Sequence, residues 1–360
     1  MGLTNPWSDL NFKKLFKRDE IIMDDFVFRL HHQINFFVLG LGVLFIFAEN
    51  YLDGRAIVCR GADEYANKFC WLHGTGYIGA DLENQLGAFS GANSECRMSA
   101  NIQGLDKSRA DERMTSYYIW LPFLLLVCMG LSKLARTLWK EVLEGGLLKD
   151  LLLRRRQETI CGEKIACEFK LQGKRKLLNY ALFYIFCEVL NLLSVLLCVG
   201  VFDKILFNRF WSYGSDFITY TSSERGSGVS NPMCEIFPTV VSCSFVSGGS
   251  SGGSDLNNHI CILSNNLFNM YYFLILWFWW IFLILVSLVQ IIYRITGVFV
   301  PGLMSSSKDL GAKSSFGQRF VLGRIKLNLD PDSYSEFCRE LRPKMCRGES
   351  QEEHIRLNSA

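Results

Sequence analysis

Four stretches of the chain are almost wholly apolar, and long polar segments separate them. The last of them, Met270 to Tyr293, reads MYYFLILWFWWIFLILVSLVQIIY, twenty-four residues without a charge. As a helix rising about 1.5 Å per residue it is roughly 36 Å long, enough to cross a bilayer core of about 30 Å with some tilt. Tyr271, Tyr272, Trp277, Trp279 and Trp280 crowd its first half, and Arg294 follows its end. Aromatic rings favour the membrane interface and a cation marks the cytoplasmic end. The same reading gives spans at 34–52, 117–135 and 180–202. The predicted fold is therefore an all-α membrane protein. It is a four-transmembrane-helix bundle with polar loops at 53–116 and 203–269, a connection at 136–179, a leader at 1–33 and a partly helical tail at 294–360.

Polar residues inside or beside the spans are the first candidates for chemistry. Glu188 and Asn191 lie in the third span, one helical step apart, so both can face the bundle interior. A carboxyl group in a bilayer costs at least a few kcal/mol unless it faces protein or water. A hydrogen bond between helices is the plainer role for this pair, and a pore-facing proton or ion site the sharper one. His31 and His32 precede the first span. Neighbouring positions on an α-helix point apart, so the two make a poor chelate and read as interfacial residues. Pro122 sits early in the second span, tolerated there or producing a kink. In the leader, Leu10, Leu15 and Phe16 alternate with Lys13, Lys14, Lys17 and Arg18, which fits an amphipathic helix on the membrane surface or a segment folded into a channel mouth.

Two further patterns point away from enzymes. Gly74-Thr75-Gly76-Tyr77-Ile78-Gly79 matches G-x-G-x-x-G by letter but lacks the strand-to-helix setting that makes a dinucleotide site. No nucleophile–base pair, clustered metal ligands or phosphate loop is evident, so no catalytic residue, metal or cofactor is expected. The run Ser247 to Asp255 (SGGSSGGSD) is flexible by composition and reads as the tip of a tethered loop. A net charge of +3 gives no argument for nucleic acid.

Charge placement orients the spans. Lys and Arg number five in 1–33, eleven in 136–178 and eleven in 294–360, against seven in 53–116 and three in 203–269. The richer segments belong in the cytoplasm with both termini, and Arg154-Arg155-Arg156 and Lys174-Arg175-Lys176 add attraction to anionic lipid. Cysteine placement agrees. Of thirteen cysteines, three fall in each poorer loop: Cys59, Cys70 and Cys96 in the first, Cys234, Cys243 and Cys261 in the second. An even number in the oxidising compartment fits a disulfide framework, and six cysteines allow fifteen pairings.

Several local motifs then carry a family resemblance. Tyr117-Tyr118-Ile119-Trp120-Leu121-Pro122-Phe123 opens the second span, and Phe28-Arg29-Leu30-His31 precedes the first. Ile57-Val58-Cys59 and Phe69-Cys70-Trp71 lie in the first loop. Trp139 with Glu144-Gly145-Gly146, Phe186-Cys187-Glu188 with Leu190-Asn191, and Phe237-Pro238 follow in order. Leu276-Trp277-Phe278-Trp279 and Asn328-Leu329-Asp330-Pro331 complete the series. In this order the chain resembles the innexins, the invertebrate gap-junction proteins, over most of its length.

The resemblance implies a large-pore channel subunit at the plasma membrane. Such subunits assemble as rings of eight, alone or with other innexins, and two rings in apposed cells dock through their outer loops. It implies that the N-terminal segment, Met1, Gly2, Leu3, Thr4, Asn5 and Asp9, folds into the pore. It implies the pairs Cys59–Cys261 and Cys70–Cys243. Cys96 and Cys234 are additions to the family pattern, and a third bridge between them is expected because unpaired thiols outside the cell are uncommon. The Cys59 to Cys70 spacing is short for the family. Two alternatives are an unpaired hemichannel of the pannexin kind and a four-span adhesion protein. Tetraspanins need adjacent cysteines and claudins a tryptophan ahead of their cysteine pair, and neither pattern occurs here. No outer-loop asparagine begins an N-x-S/T sequon, so glycans do not obstruct docking.

Overall fold

The computed structural model describes residues 24–52, 56–76, 116–143, 174–222, 231–248, 252–300, 314–329 and 331–341. Four of its helices are long and apolar enough to cross a membrane: Phe26–Tyr51, Tyr117–Lys140, Lys174–Ile205 and Asn265–Phe299. The runs at 117–135, 180–202 and 270–293 fall within the last three, and the run at 34–52 overlaps the first and ends one residue beyond it. Helix α1 joins α-helical Phe26–Arg29 and Phe36–Phe47 with π-helical turns at Leu30–Asn35 and Ala48–Leu52. Short α2 is Glu64–His73, and α3 is Tyr117–Leu143 with Pro122 inside it. Helix α4 is Lys174–Ile205, followed by α5 (Tyr213–Ser222) and α6 (Pro232–Ile236). The longest helix, α7, is Asn265–Phe299, and α8 (Phe316–Asn328) and α9 (Pro331–Leu341) close the described chain.

The fold adds to the helices a three-stranded antiparallel sheet in the order β1-β3-β2. Strand β2 is Val240–Gly248, β3 is Ser254–Ile262, and β1 is only Val58–Cys59. Val240 pairs with Ile262 and Gly248 with Ser254, so the two strands run antiparallel over their whole length and meet the serine–glycine run at one end. Val240 and Val241 supply β-branched residues that suit a pleated surface.

The chain forms two compact units. One holds residues 27–135 and 189–289, with the sheet, α2, α5 and α6. Its core is aromatic. Phe202 and Phe237 each lie 5.3 Å from Phe273, and Phe210 lies 5.9 Å from Trp280, between ring centres. Such pairs add about 0.5–1.5 kcal/mol each beyond the area they bury. Two glycines let rings approach this closely: a Cβ on Gly42 would collide with the Tyr272 ring, and one on Gly214 with Trp277.

The other unit holds residues 1–26, 136–188 and 290–360. Trp139 is packed by Tyr180 and Tyr184 at 4.8 and 4.7 Å. Helix α8 begins with a capping box, Ser315 with Gln318, and lies against α4 so closely that a Cβ on Gly317 would meet the Leu177 and Leu178 backbone. Arg319 donates to the carbonyls of Ser314 and Gly297, the latter one of the last acceptors of α7. Along the chain, α1 leaves this unit, α3 enters it, α4 leaves and α7 enters.

Only 22% of the most apolar window of α7 is buried within the chain. Most of that surface, with Ile275, Val289 and Ile292 well exposed, is left for lipid or a neighbouring copy.

Candidate functional site

Two sets of residues are built too carefully to be mere packing. The first is the stapled sheet. Asp63 caps α2, its side chain accepting from the Ala66 amide at 2.8 Å, and the helix then carries Cys70 on its buried face. Gly74 ends the helix at φ 96°, a conformation only glycine takes without strain. The Gly76 amide then donates to Ser242 O at 2.8 Å and the Ser242 amide to Gly76 O at 3.0 Å. The glycine run thus serves a bridge between a helix and a strand edge, with Tyr77 to Gly79 outside the described residues.

This arrangement brings α2 against β2 and β1 against β3. Cys70 is bonded to Cys243, and Cys59 to Cys261, closing sequence separations of 173 and 202 residues. Cys234 is disulfide-bonded as well. Every other described cysteine is either in those two bridges or free, so the partner of Cys234 lies outside the described residues, as does Cys96. The sulfurs of Cys59, Cys70 and Cys261 lie within 4.8 Å of one another, but all three are spent in disulfides and none is a thiolate for a metal.

Tyrosines and asparagines fasten the helices to this sheet. The Tyr117 hydroxyl donates to Ile236 O at 2.9 Å and accepts from Asn266 at 3.1 Å, and Asn266 also donates to Pro238 O at 2.7 Å. Tyr118 stacks on Trp71 at 4.5 Å, with its hydroxyl facing the Cys70 and Trp71 carbonyls at 3.4 Å. Asn265 donates to Asn50, which donates to the Tyr118 carbonyl, tying α7, α1 and α3. Tyr213 donates to Met270 O at 2.8 Å, and burial pushes its hydroxyl above the ordinary tyrosine value, so it stays a donor. Pro122 is buried, whereas Trp120 is 60% exposed on the outside of α3. Sequence reading passed over the asparagines; the signal was Asn265-Asn266 with Asn269, amides at helical spacing just ahead of an apolar run.

The histidines lie in the first π-helical turn. Its wider winding buries His31, His32 and Asn35 together, which α-helical spacing would not do for neighbours. His31 Nε2 and Ser287 Oγ are hydrogen-bonded at 2.7 Å, and His32 Nδ1 donates to Phe28 O at 2.8 Å. Asn35 accepts from both Trp279 and Trp280, at 3.1 and 3.2 Å. Each histidine is used as a structural donor or acceptor, and they share no ligand position.

The second set is a buried charge cluster in the other unit. Asp25, just ahead of α1, accepts a two-pronged contact from Arg324 of α8, both oxygens at 2.5 Å, and a further bond from Arg294 of α7. Arg294 also reaches Glu188 of α4 at 3.3 Å, and Gln290 donates to both Asp25 and Glu188 at 3.3 Å. Beside it, Asp24 accepts from Arg136 of α3 at 2.5 Å. The Tyr184 and Phe320 rings flank both guanidinium groups, at 4.7 and 4.8 Å from Arg324. Asn191 is buried in the larger unit, and its amide has no hydrogen-bond partner among the described residues. Met1, Gly2, Leu3, Thr4, Asn5 and Asp9 lie outside the described residues.

Neither set offers a nucleophile with a base or a vacant ligand cage. What they offer is rigidity: a cross-linked face in one unit and, in the other, a charge-paired joint of four helices and the segment just ahead of α1.

Comparison with known proteins gives the chain's family. The family model described as Innexin matches residues 24–345. Innexin inx2 of Drosophila melanogaster is 28% identical over 357 residues, covering 92% of this chain and 94% of that protein. Innexin inx2 of Schistocerca americana is 28% identical over 359 residues, with 92% and 96% covered. Innexin shaking-B of Drosophila melanogaster is 27% identical over 360 residues, with 91% and 92% covered. The chain belongs to the innexin family of four-span membrane proteins, which form gap-junction channels between cells.

Proposed function

We propose that eight copies of the chain, with or without other innexins, form a ring around a pore for ions and small solutes, and that two rings in apposed plasma membranes dock into one conduit. The stapled unit faces outward and supplies the docking surface. The charge-paired unit and both termini lie in the cytoplasm, against anionic lipid headgroups, and the segment from Met1 to Asp9 lines the pore. The channel conducts without covalent chemistry.

The observation that carries this reading is the partition of sulfur. Cys59, Cys70, Cys234, Cys243 and Cys261, all in the segments between the long helices, are disulfide-bonded, whereas Cys128, Cys187 and Cys198, within the long apolar helices α3 and α4, and Cys338 of the tail are free. Disulfides belong to the oxidising side of a membrane and free thiols to the reducing side or the lipid. The alternating order in which the long helices enter and leave the smaller unit supports the same placement.

Paired cells expressing the chain test it. Passage of a small dye from one cell to its partner is expected. Uptake from the medium with no transfer means an unpaired hemichannel, and images of the purified particle down its axis count the subunits.

A further inference from the structure

The channel reading leaves the charge cluster without a task. A joint made only for stability would be poorly served by it, because buried ion pairs roughly break even against apolar packing. The geometry is also specific. Asp25 lies immediately before α1, and it is gripped by side chains from two later helices, Arg294 of α7 and Arg324 of α8. Its own amide donates to the Tyr184 hydroxyl at 3.0 Å. The Arg324 fork is held flat by Tyr184 and Phe320 and is 3% exposed, so it reaches Asp25 already desolvated and oriented.

Helix α8 differs from the other holders of Asp25. Gln290 and Arg294 ride on a helix that crosses the membrane, whereas α8 is only 13 residues long. Residues 301–313 separate it from α7, and it is docked by Arg319 on the Gly297 carbonyl, by Arg324, and by the buried side chains of Phe316, Phe320, Val321, Leu322 and Ile325. A short helix docked as one body can shift without unfolding a span, while its departure strips Asp25 of its two-pronged partner.

We propose that α8 is a latch on the first span: Arg324 is a positioning residue that holds the start of α1, and release of α8 changes the probability that the pore is open. This rests on the channel reading, since current is its readout.

The test compares wild type, Asp25→Asn, Arg324→Gln and the double variant, by current against voltage normalised to protein at the cell surface. Each single change is expected to shift open probability by about fivefold or more, the low end of coupling between linked sites. The double variant is expected to match Asp25→Asn, because that change already removes the contact with Arg324 along with the one with Arg294. Unchanged open probability in the singles, or effects that simply add, overturns the latch. If the singles fail to reach the surface, the double variant decides. Removing both partners is less costly than leaving one charge buried, so it is expected to assemble with altered gating, and wild-type gating overturns the proposal. Wild type that passes no current refutes the channel reading instead. The purified protein then reads the latch by trypsin cleavage in α8, which Asp25→Asn is expected to speed severalfold and which an unchanged rate would refute.

Discussion

The two units solve one problem by opposite chemistry. Each must hold segments far apart in sequence, and each does so with few contacts that cannot slide. In the stapled unit the ties are covalent, at Cys59–Cys261 and Cys70–Cys243. In the other unit, Asp24, Asp25 and Glu188 face Arg136, Arg294 and Arg324, and no disulfide occurs among its described residues. A covalent tie acts largely by restricting the unfolded chain and does not depend on neighbours. An ionic joint depends on all its members, because losing one leaves another charge buried alone. The first suits a face that must keep its shape, and the second a joint that can be released.

The comparison breaks most sharply at Arg294. Arg294→Ala leaves Glu188 without its cation and removes one of the two on Asp25, and removal of one buried partner costs about 3–5 kcal/mol. Thermal unfolding in detergent is expected to fall by many degrees. Added salt is expected to matter little, since buried pairs are poorly screened. A variant as stable as wild type would mean that the cluster is solvated and its rigidity illusory.

Next comes the sulfur. Replacing both Cys70 and Cys243 by serine removes a bridge worth about 2–4 kcal/mol. Hydrogen exchange is expected to rise in α2 and β2 and to stay constant in α8. A uniform rise through α8 would show that the two kinds of tie are not separable.

The sequence made the crossings legible and the ties much less so, for a physical reason. Apolar length is local, so Met270–Tyr293 declares itself without reference to any other residue. The charge cluster is not local: Asp25 and Arg324 are 299 positions apart. Arg294 alone looks like a cation marking a helix end, and Asp25 like a flanking charge. Glu188 drew attention only because a carboxyl inside an apolar run is costly, and its partners Gln290 and Arg294 stand on another helix. The sheet was hidden differently. Val241-Ser242-Cys243-Ser244-Phe245 alternates apolar and polar residues, but the run is short, it leads into serines and glycines, and β1 is only two residues long.

A smaller effect sharpens the account of how rings pack in the stapled unit. Gly42→Val would drive a side chain into the Tyr272 ring, whose hydroxyl donates to the Val38 carbonyl at 3.2 Å. Overpacking of this kind costs about 1–3 kcal/mol. The melting temperature is expected to drop, and Tyr272→Phe in the same chain is expected to recover only part of it, because the ring carbons Cζ and Cε1 are in the way as well as the hydroxyl. Full recovery would place the strain at the hydrogen bond instead.

The smallest expected effect marks where charge stops mattering. Lys68 and Glu64 lie 2.7 Å apart on α2, with side chains 73% and 84% exposed. The hydrogen bond from Lys68, and then its charge, hold the Glu64 carboxyl below its ordinary value. A group lowered on folding adds stability above its unfolded pKa and loses it as pH falls through the folded one. The sign therefore favours the folded chain at neutral pH, and the contribution is lost in acid. Yet both ends are in water, where long side chains lose entropy in pairing and solvent screens their attraction. Lys68→Gln is expected to leave the melting temperature unchanged at neutral pH and in acid alike. A measurable drop at neutral pH that disappears in acid would show that this face of α2 is covered in the assembled channel, because only burial gives such a pair that much strength.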